Sequence, residues 1–162
     1  SELVLHYQPQ YSLSTGEMIA VEALIRWQHP HKGLLYPDKF ISAAEETGKI
    51  IDIGYWVIQE VCNQIKQAES DSKPRHRFAI NLSPKQFKDP LLIEKIRKIV
   101  RSTDIDARLL ELEVTESCVM EDVDAAIDML AKLKELGITI ALDDFGTGYS
   151  SLSLLTRLPV DR

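Results

Sequence analysis

The sequence predicts an α/β fold: parallel strands alternating with covering helices and curling into a (β/α) barrel that is present in part. Two observations carry this. Short apolar runs of strand length alternate with longer amphipathic runs of helix length after an opening hairpin. Asn81, Glu113 and Asp143 each follow such a short run, at intervals of roughly 30 residues, the length of one strand–helix unit.

Residues 3–10 read as the first strand, and the Ser12 to Gly16 turn cluster leads to a second over 18–27. So short a link favours an antiparallel pair, since a parallel one needs a crossover of a dozen or more residues. Residues 29–33 then form a loop. Pro37 and Asp38 open a short helix through Glu46, which Gly48 closes. In the long helix that follows, Ile50, Ile53, Val57, Val61 and Ile65 share one face. Residues 70–75 are a polar loop. Strand 78–82, helix 91–101, strand 109–115, helix 123–136 with Gly137 as its cap, and strand 138–142 complete the reading. Trp56 belongs to the apolar core face of its helix.

Composition sets outer limits. The chain has 162 residues, 44% hydrophobic and 27% charged, with a formal net charge of −6. That is a globular composition with enough chain for one sizeable core. An acidic balance without a basic stripe argues against a nucleic-acid polymer as partner. It leaves room for a small phosphorylated ligand, because divalent cations invert the local sign of an acidic site. No apolar run reaches the roughly 18 residues of a membrane span, and the start lacks a secretory signal, so a cytoplasmic location is expected. Cys62 and Cys118 make neither a disulfide framework nor a zinc pattern, and read as inert core fillers.

The choice between a barrel and a doubly wound sheet turns on where the polar groups fall. Asn81, Glu113 and the Asp143–Asp144 pair each sit at the carboxyl end of a strand, and Glu22 in the second strand can join the same rim. Several strands each sending an oxygen ligand to one rim is a barrel arrangement. A doubly wound sheet concentrates its site at one switch point behind a glycine-rich turn, which is missing from this sequence. About five of the eight strands of a complete barrel are present.

Glu22, Asn81, Glu113, Asp143 and Asp144 are hard oxygen donors, suited to Mg²⁺ or Mn²⁺ rather than zinc. Two ions held there would clamp both oxygens of a phosphodiester displacement. Each residue also has an ordinary reading. Asn81 can cap the turn at Ser83 and Pro84, and Asp143 and Asp144 can be turn residues. Arg26 lies on the same strand face as Glu22, free to bind a phosphate oxygen or to pair with a rim acid. Gly146 and Gly148 fit a mobile loop better than a phosphate cradle. His6, His29, His31 and His76 are scattered and read as structural or exposed.

Five motifs go further. Tyr7-Gln8-Pro9, Val21-Glu22-Ala23-Leu24-Ile25-Arg26-Trp27, Asn81-Leu82-Ser83-Pro84, Glu113-Val114-Thr115-Glu116 and the run from Asp143 through Phe145-Gly146-Thr147-Gly148 to Leu152 resemble, in order and spacing, the EAL-type cyclic-di-GMP phosphodiesterases. The resemblance covers nearly the whole chain. It implies a TIM-like (β/α)8 barrel with an antiparallel first strand, residues 1–162 forming part of one EAL domain. It implies hydrolysis of cyclic-di-GMP to linear pGpG with two Mg²⁺ or Mn²⁺.

By the same resemblance, Glu22, Asn81, Glu113 and Asp143 hold one ion, while Asp143 and Asp144 face the second. Glu22, Asp143 and Asp144 are the catalytic set. Gln8, Leu24 and Arg26 contact substrate, and Glu116 anchors the loop from Asp144 to Ser151. Also implied are a homodimer in the parent protein, attached sensory or GGDEF domains, and a parent that may be tethered at the inner membrane. Family members carry a catalytic Lys, a metal-holding Glu and a substrate Gln beyond the position of Arg162, so residues 1–162 alone are expected to be inactive and poorly soluble. A catalytically silent cyclic-di-GMP receptor and a protein-interaction module are the alternative readings.

Overall fold

The computed structural model describes residues 2–71, 76–144 and 156–162. Six strands form one sheet: β1 (Leu3–Tyr11), β2 (Met18–His29), β3 (Gly33–Leu35), β4 (Arg77–Asn81), β5 (Leu110–Thr115) and β6 (Thr139–Asp143). Its order is β1-β2-β4-β5-β6, with β3 on β2. β1 runs antiparallel to β2, whereas β2, β4, β5 and β6 are mutually parallel. The backbone resumes pairing beyond β6, where Asp161 N–H donates to Ile140 O and Leu142 N–H to Arg162 O, both at 2.8 Å.

The helices are α1 (Ile41–Glu46), α2 (Lys49–Ser70), α3 (Pro84–Phe87), α4 (Leu92–Thr103), α5 (Glu116–Met120) and α6 (Val123–Glu135). They cover one face of the sheet. Ile80, Leu110, Leu112, Val114 and Ile140 point to that face and pack with Val57, Ile58, Val61 and Ile65 of α2, Leu92 and Ile96 of α4, and Leu130 and Leu133 of α6. Burying each such side chain contributes roughly 1.5–3 kcal/mol, so the helix-covered face anchors the sheet. Successive strand residues alternate sides. The polar partners of these apolar residues are therefore turned to the opposite, concave face. Cys62 and Cys118 are free and buried, with thiols pushed up to about 12 and about 11 by desolvation.

The antiparallel opening hairpin, the alternation and the Gly137 cap (φ +88°) are as the sequence predicts. Three local features are not. The expected loop at 29–33 is a tight turn, because β2 runs on to His29 and pairs with β3 through His29 and Gly33. The helix expected from Pro37 to Glu46 is broken. A 3-10 turn covers Pro37–Lys39, and Phe40, buried against the Trp27 ring with centroids 5.8 Å apart, interrupts it before α1. The short helices α3 and α5 fall where the sequence reading assigns no helix: a turn after Asn81, and the unassigned segment between Thr115 and Val123. Ser83 caps α3 by accepting from Gln86 N–H at 3.2 Å, with Pro84 in the first turn.

Gly54 holds α2 close to α3. A Cβ there would lie 2.0 Å from Gln86 Oε1, so the buried Gln86 amide, 1% exposed, would have to move toward the neighbouring cleft. Overpacking costs roughly 1–3 kcal/mol, against the approximately 1 kcal/mol that Ala gains over Gly in a helix. Gly54→Ala is therefore expected to destabilise the protein by up to about 2 kcal/mol. A urea midpoint at or above the wild-type value would contradict this packing.

Candidate functional site

Strand register sets the site. Glu22 stands opposite Gln8 on β1 and beside Ala79 on β4. Asn81 pairs with Glu113, and Thr115 with Asp143. Glu22, Asn81, Glu113 and Asp143 thus share the concave face toward the carboxyl ends of four adjacent parallel strands. Asn81 Nδ2 donates to Glu22 Oε1 at 2.7 Å, tying two of the expected ligands together. Capping of the following turn belongs to Ser83, which leaves the Asn81 side chain to the rim.

Glu113 is the most enclosed of the set, 9% exposed. Burial, then the negative charge of Glu22, and further the charges of Asp143 and Glu111, push its carboxyl from 4.5 to about 7; a hydrogen bond from Gln10 opposes the rise. Like charges gathered in one field favour protonation or a cation. Among the described residues no three His, Cys, Asp or Glu side chains lie close enough to enclose an ion by themselves. The donor set nevertheless suits a hard divalent cation: the acids are grouped electrostatically, and an amide oxygen stands beside them.

Asp143 and Asp144 are exposed at the end of β6. Asp143 Oδ1 accepts from Asp144 N–H at 2.8 Å, and Asp144 adopts φ +56°. Asp is among the few side chains that tolerate this left-handed turn. Both the turn role and the rim position hold for this pair.

Leu24 borders a largely apolar cleft of about 320 Å³ that runs from Asn81 and Glu113 in under α2 and α3, where Ile53, Val57 and Gln86 line it, within the range of small-ligand sites. A shallow hollow of about 510 Å³ along α2 and α4 reaches none of the site residues. Arg26 makes no ion pair among the described residues. Its guanidinium lies 4.7 Å from the Tyr36 ring centroid, Nη1 donates to Ile25 O at 2.8 Å, and Nε is buried without a hydrogen-bond partner. Gln8 is exposed on β1. Glu116 is 5% exposed at the start of α5. Residues 145–151, which it is expected to anchor and which include Gly146 and Gly148, lie outside the described residues.

A polar layer that the sequence does not single out lies further toward the amino ends of the strands. Glu111, fully buried on β5, meets Arg77 of β4 and Arg162, while Gln10 of β1 reaches Glu113. Glu111 and Glu113 alternate with leucines in an otherwise apolar strand. That alternation was the available signal that both acids face inward.

The EAL domain family model matches residues 1–162. The chain is 45% identical over 158 residues to the bifunctional diguanylate cyclase/cyclic di-GMP phosphodiesterase MucR of Pseudomonas aeruginosa, covering 98% of this chain and 23% of that protein. It is 40% identical over 160 residues to the cyclic di-GMP phosphodiesterase PdeR of Escherichia coli, covering 99% and 24%. It also superposes on the solved PaMucR phosphodiesterase in its c-di-GMP complex with a TM-score of 0.94 at 45% identity, covering 98% of this chain and 64% of that one. The chain thus spans about a quarter of these full-length relatives. With its acids set on successive parallel strands behind an antiparallel first strand, and with that match along its whole length, the chain belongs to the EAL domain family.

Proposed function

We propose that the protein containing this chain hydrolyses one phosphodiester of cyclic-di-GMP to linear pGpG, with this segment supplying most of the metal-binding rim. The observation that carries the reading is the register that sets Glu22, Asn81, Glu113 and Asp143 on one face of adjacent parallel strands, where burial first and the Glu22 and Asp143 charges next raise the Glu113 carboxyl to about 7. Glu22, Asn81, Glu113 and Asp143 would hold one Mg²⁺ or Mn²⁺, and Asp143 with Asp144 would face a second. Two such ions would supply a nucleophile near neutral pH and electrostatic stabilisation for the phosphodiester displacement.

The remaining roles belong to side chains. Asn81 holds the Glu22 carboxylate by the 2.7 Å hydrogen bond, fixing its direction. Arg26, braced on Tyr36, offers donors to a phosphate oxygen. Leu24 gives the cleft an apolar wall for a base, and Gln8 contacts the ligand from β1. Glu116 anchors the segment after Asp144. A homodimer, attached sensory or GGDEF domains and a cytoplasmic site of action complete the proposal. No described helix is long and apolar enough to cross a membrane.

The test is incubation of the full-length protein with cyclic-di-GMP, with product identification by mass spectrometry. Mg²⁺ or Mn²⁺ should yield linear dinucleotide. Calorimetric binding without turnover in any of these metals would support the silent receptor instead. Absence of both binding and turnover would leave the interaction module.

A further inference from the structure

The concave face carries a second polar layer that the metal-ligand reading does not use. Glu111 Oε1 accepts from Arg162 Nη2 at 2.6 Å, and Arg77 Nη1 stands 3.3 Å from Glu111 Oε2. A carboxylate with no solvent exposure is tolerated only with such partners. The same Arg162 Nη2 donates to Gln10 Oε1 at 2.9 Å, and Gln10 Nε2 donates to Glu113 Oε1 over a long 3.5 Å. Arg162 Nη2 itself lies 3.7 Å from that Glu113 oxygen.

This chain of contacts has one direction. A guanidinium only donates, so Gln10 must turn its oxygen to Arg162 and its nitrogen to Glu113. The Arg162–Glu111 pair fixes the guanidinium, the guanidinium fixes the amide, and the amide meets the one rim carboxylate that is almost fully enclosed. We infer that Gln10 is a positioning residue for Glu113, oriented by the Arg162–Glu111 pair, and that it sets the affinity of the rim for a divalent cation. The inference rests on the metal-dependent reading above. Its physical content is that Glu113, facing the like charges of Glu22 and Asp143, is held toward the rim by the Gln10 amide behind it, with the Arg162 charge 3.7 Å away in support. A carbon chain of the same length fills the space but supplies no such donor.

Mn²⁺ titration of the full-length protein, with free ion read by electron paramagnetic resonance, tests this apart from turnover. Gln10→Met should weaken Mn²⁺ binding by about 10-fold or more, the scale of losing an outer-shell partner. The double variant Glu111→Gln/Arg162→Met should weaken it at least as much, because Gln10 loses its orientation and Glu113 loses the Arg162 charge 3.7 Å away. A thermal melt without metal accompanies each titration, since a filler residue would shift the melt and leave the Mn²⁺ midpoint in place. If Gln10→Met does not fold, Gln10→Ala, which removes the amide without adding bulk, decides by its midpoint. A wild-type midpoint in the folded variant overturns the inference and leaves the metal-dependent reading standing. Failure of the wild-type protein to bind Mn²⁺ overturns both.

Discussion

Glu113→Gln is expected to stabilise the metal-free protein by on the order of 3 kcal/mol above about pH 8, and to flatten its dependence on pH. In the folded chain the Glu113 carboxyl titrates at about 7, against 4.5 for an unperturbed group, mainly because it is buried and secondarily because Glu22 is charged. The folded state therefore keeps a proton that the unfolded state releases. Stability from this group is fully present below pH 4.5 and is lost as pH rises through about 7. The rise from 4.5 to about 7, at about 1.4 kcal/mol for each tenfold change in proton affinity, sets that order of magnitude. Urea unfolding from about pH 4 to 8 measures it. Divalent cation should restore wild-type stability at the upper end and do much less for the variant. Identical pH profiles for the two proteins would mean that the acids do not share a field.

Glu22→Ala in the full-length protein is expected to reduce cyclic-di-GMP turnover by more than ~100-fold at fixed Mg²⁺, because losing even an outer-shell partner costs 10–100-fold. The fold should survive. Glu22 is only partly buried and accepts a hydrogen bond from Asn81. Its removal also relieves repulsion at Glu113, so the metal-free melting temperature should hold or rise. Steady-state turnover together with a thermal melt separates loss of a ligand from loss of structure. Turnover within a few-fold of wild type would remove Glu22 from the site.

The fold was legible where local pattern decides it. Alternation in β2, β4, β5 and β6 places Glu22, Asn81, Glu113 and Asp143 on one face once the strands are parallel, and the short link after Tyr11 gives the antiparallel start. Elements decided by tertiary packing were missed. β3 exists because β2 runs on to His29 and gives it a partner, and the break at Phe40 exists because that ring is drawn onto Trp27.

The rim was legible because its members recur with the strand–helix unit. The layer behind it was not. Arg162 meets Gln10 across 152 residues and Glu111 across 51, and no local spacing announces contacts that only the curled sheet creates. For Arg26 the sequence offered a phosphate or a carboxylate partner, and the structure adds the Tyr36 ring, which no periodicity marks.

The central claim is that oxygen donors from four separate strands hold divalent cations at one mouth of the barrel. Anomalous diffraction from crystals of the full-length protein soaked in Mn²⁺ tests it most directly. The account predicts peaks bounded by the Glu22, Glu113 and Asp143 carboxylates and the Asn81 amide oxygen, at ligand distances of about 2.0–2.2 Å. Peaks elsewhere on the molecule, with those four side chains metal-free at saturating Mn²⁺, would contradict it.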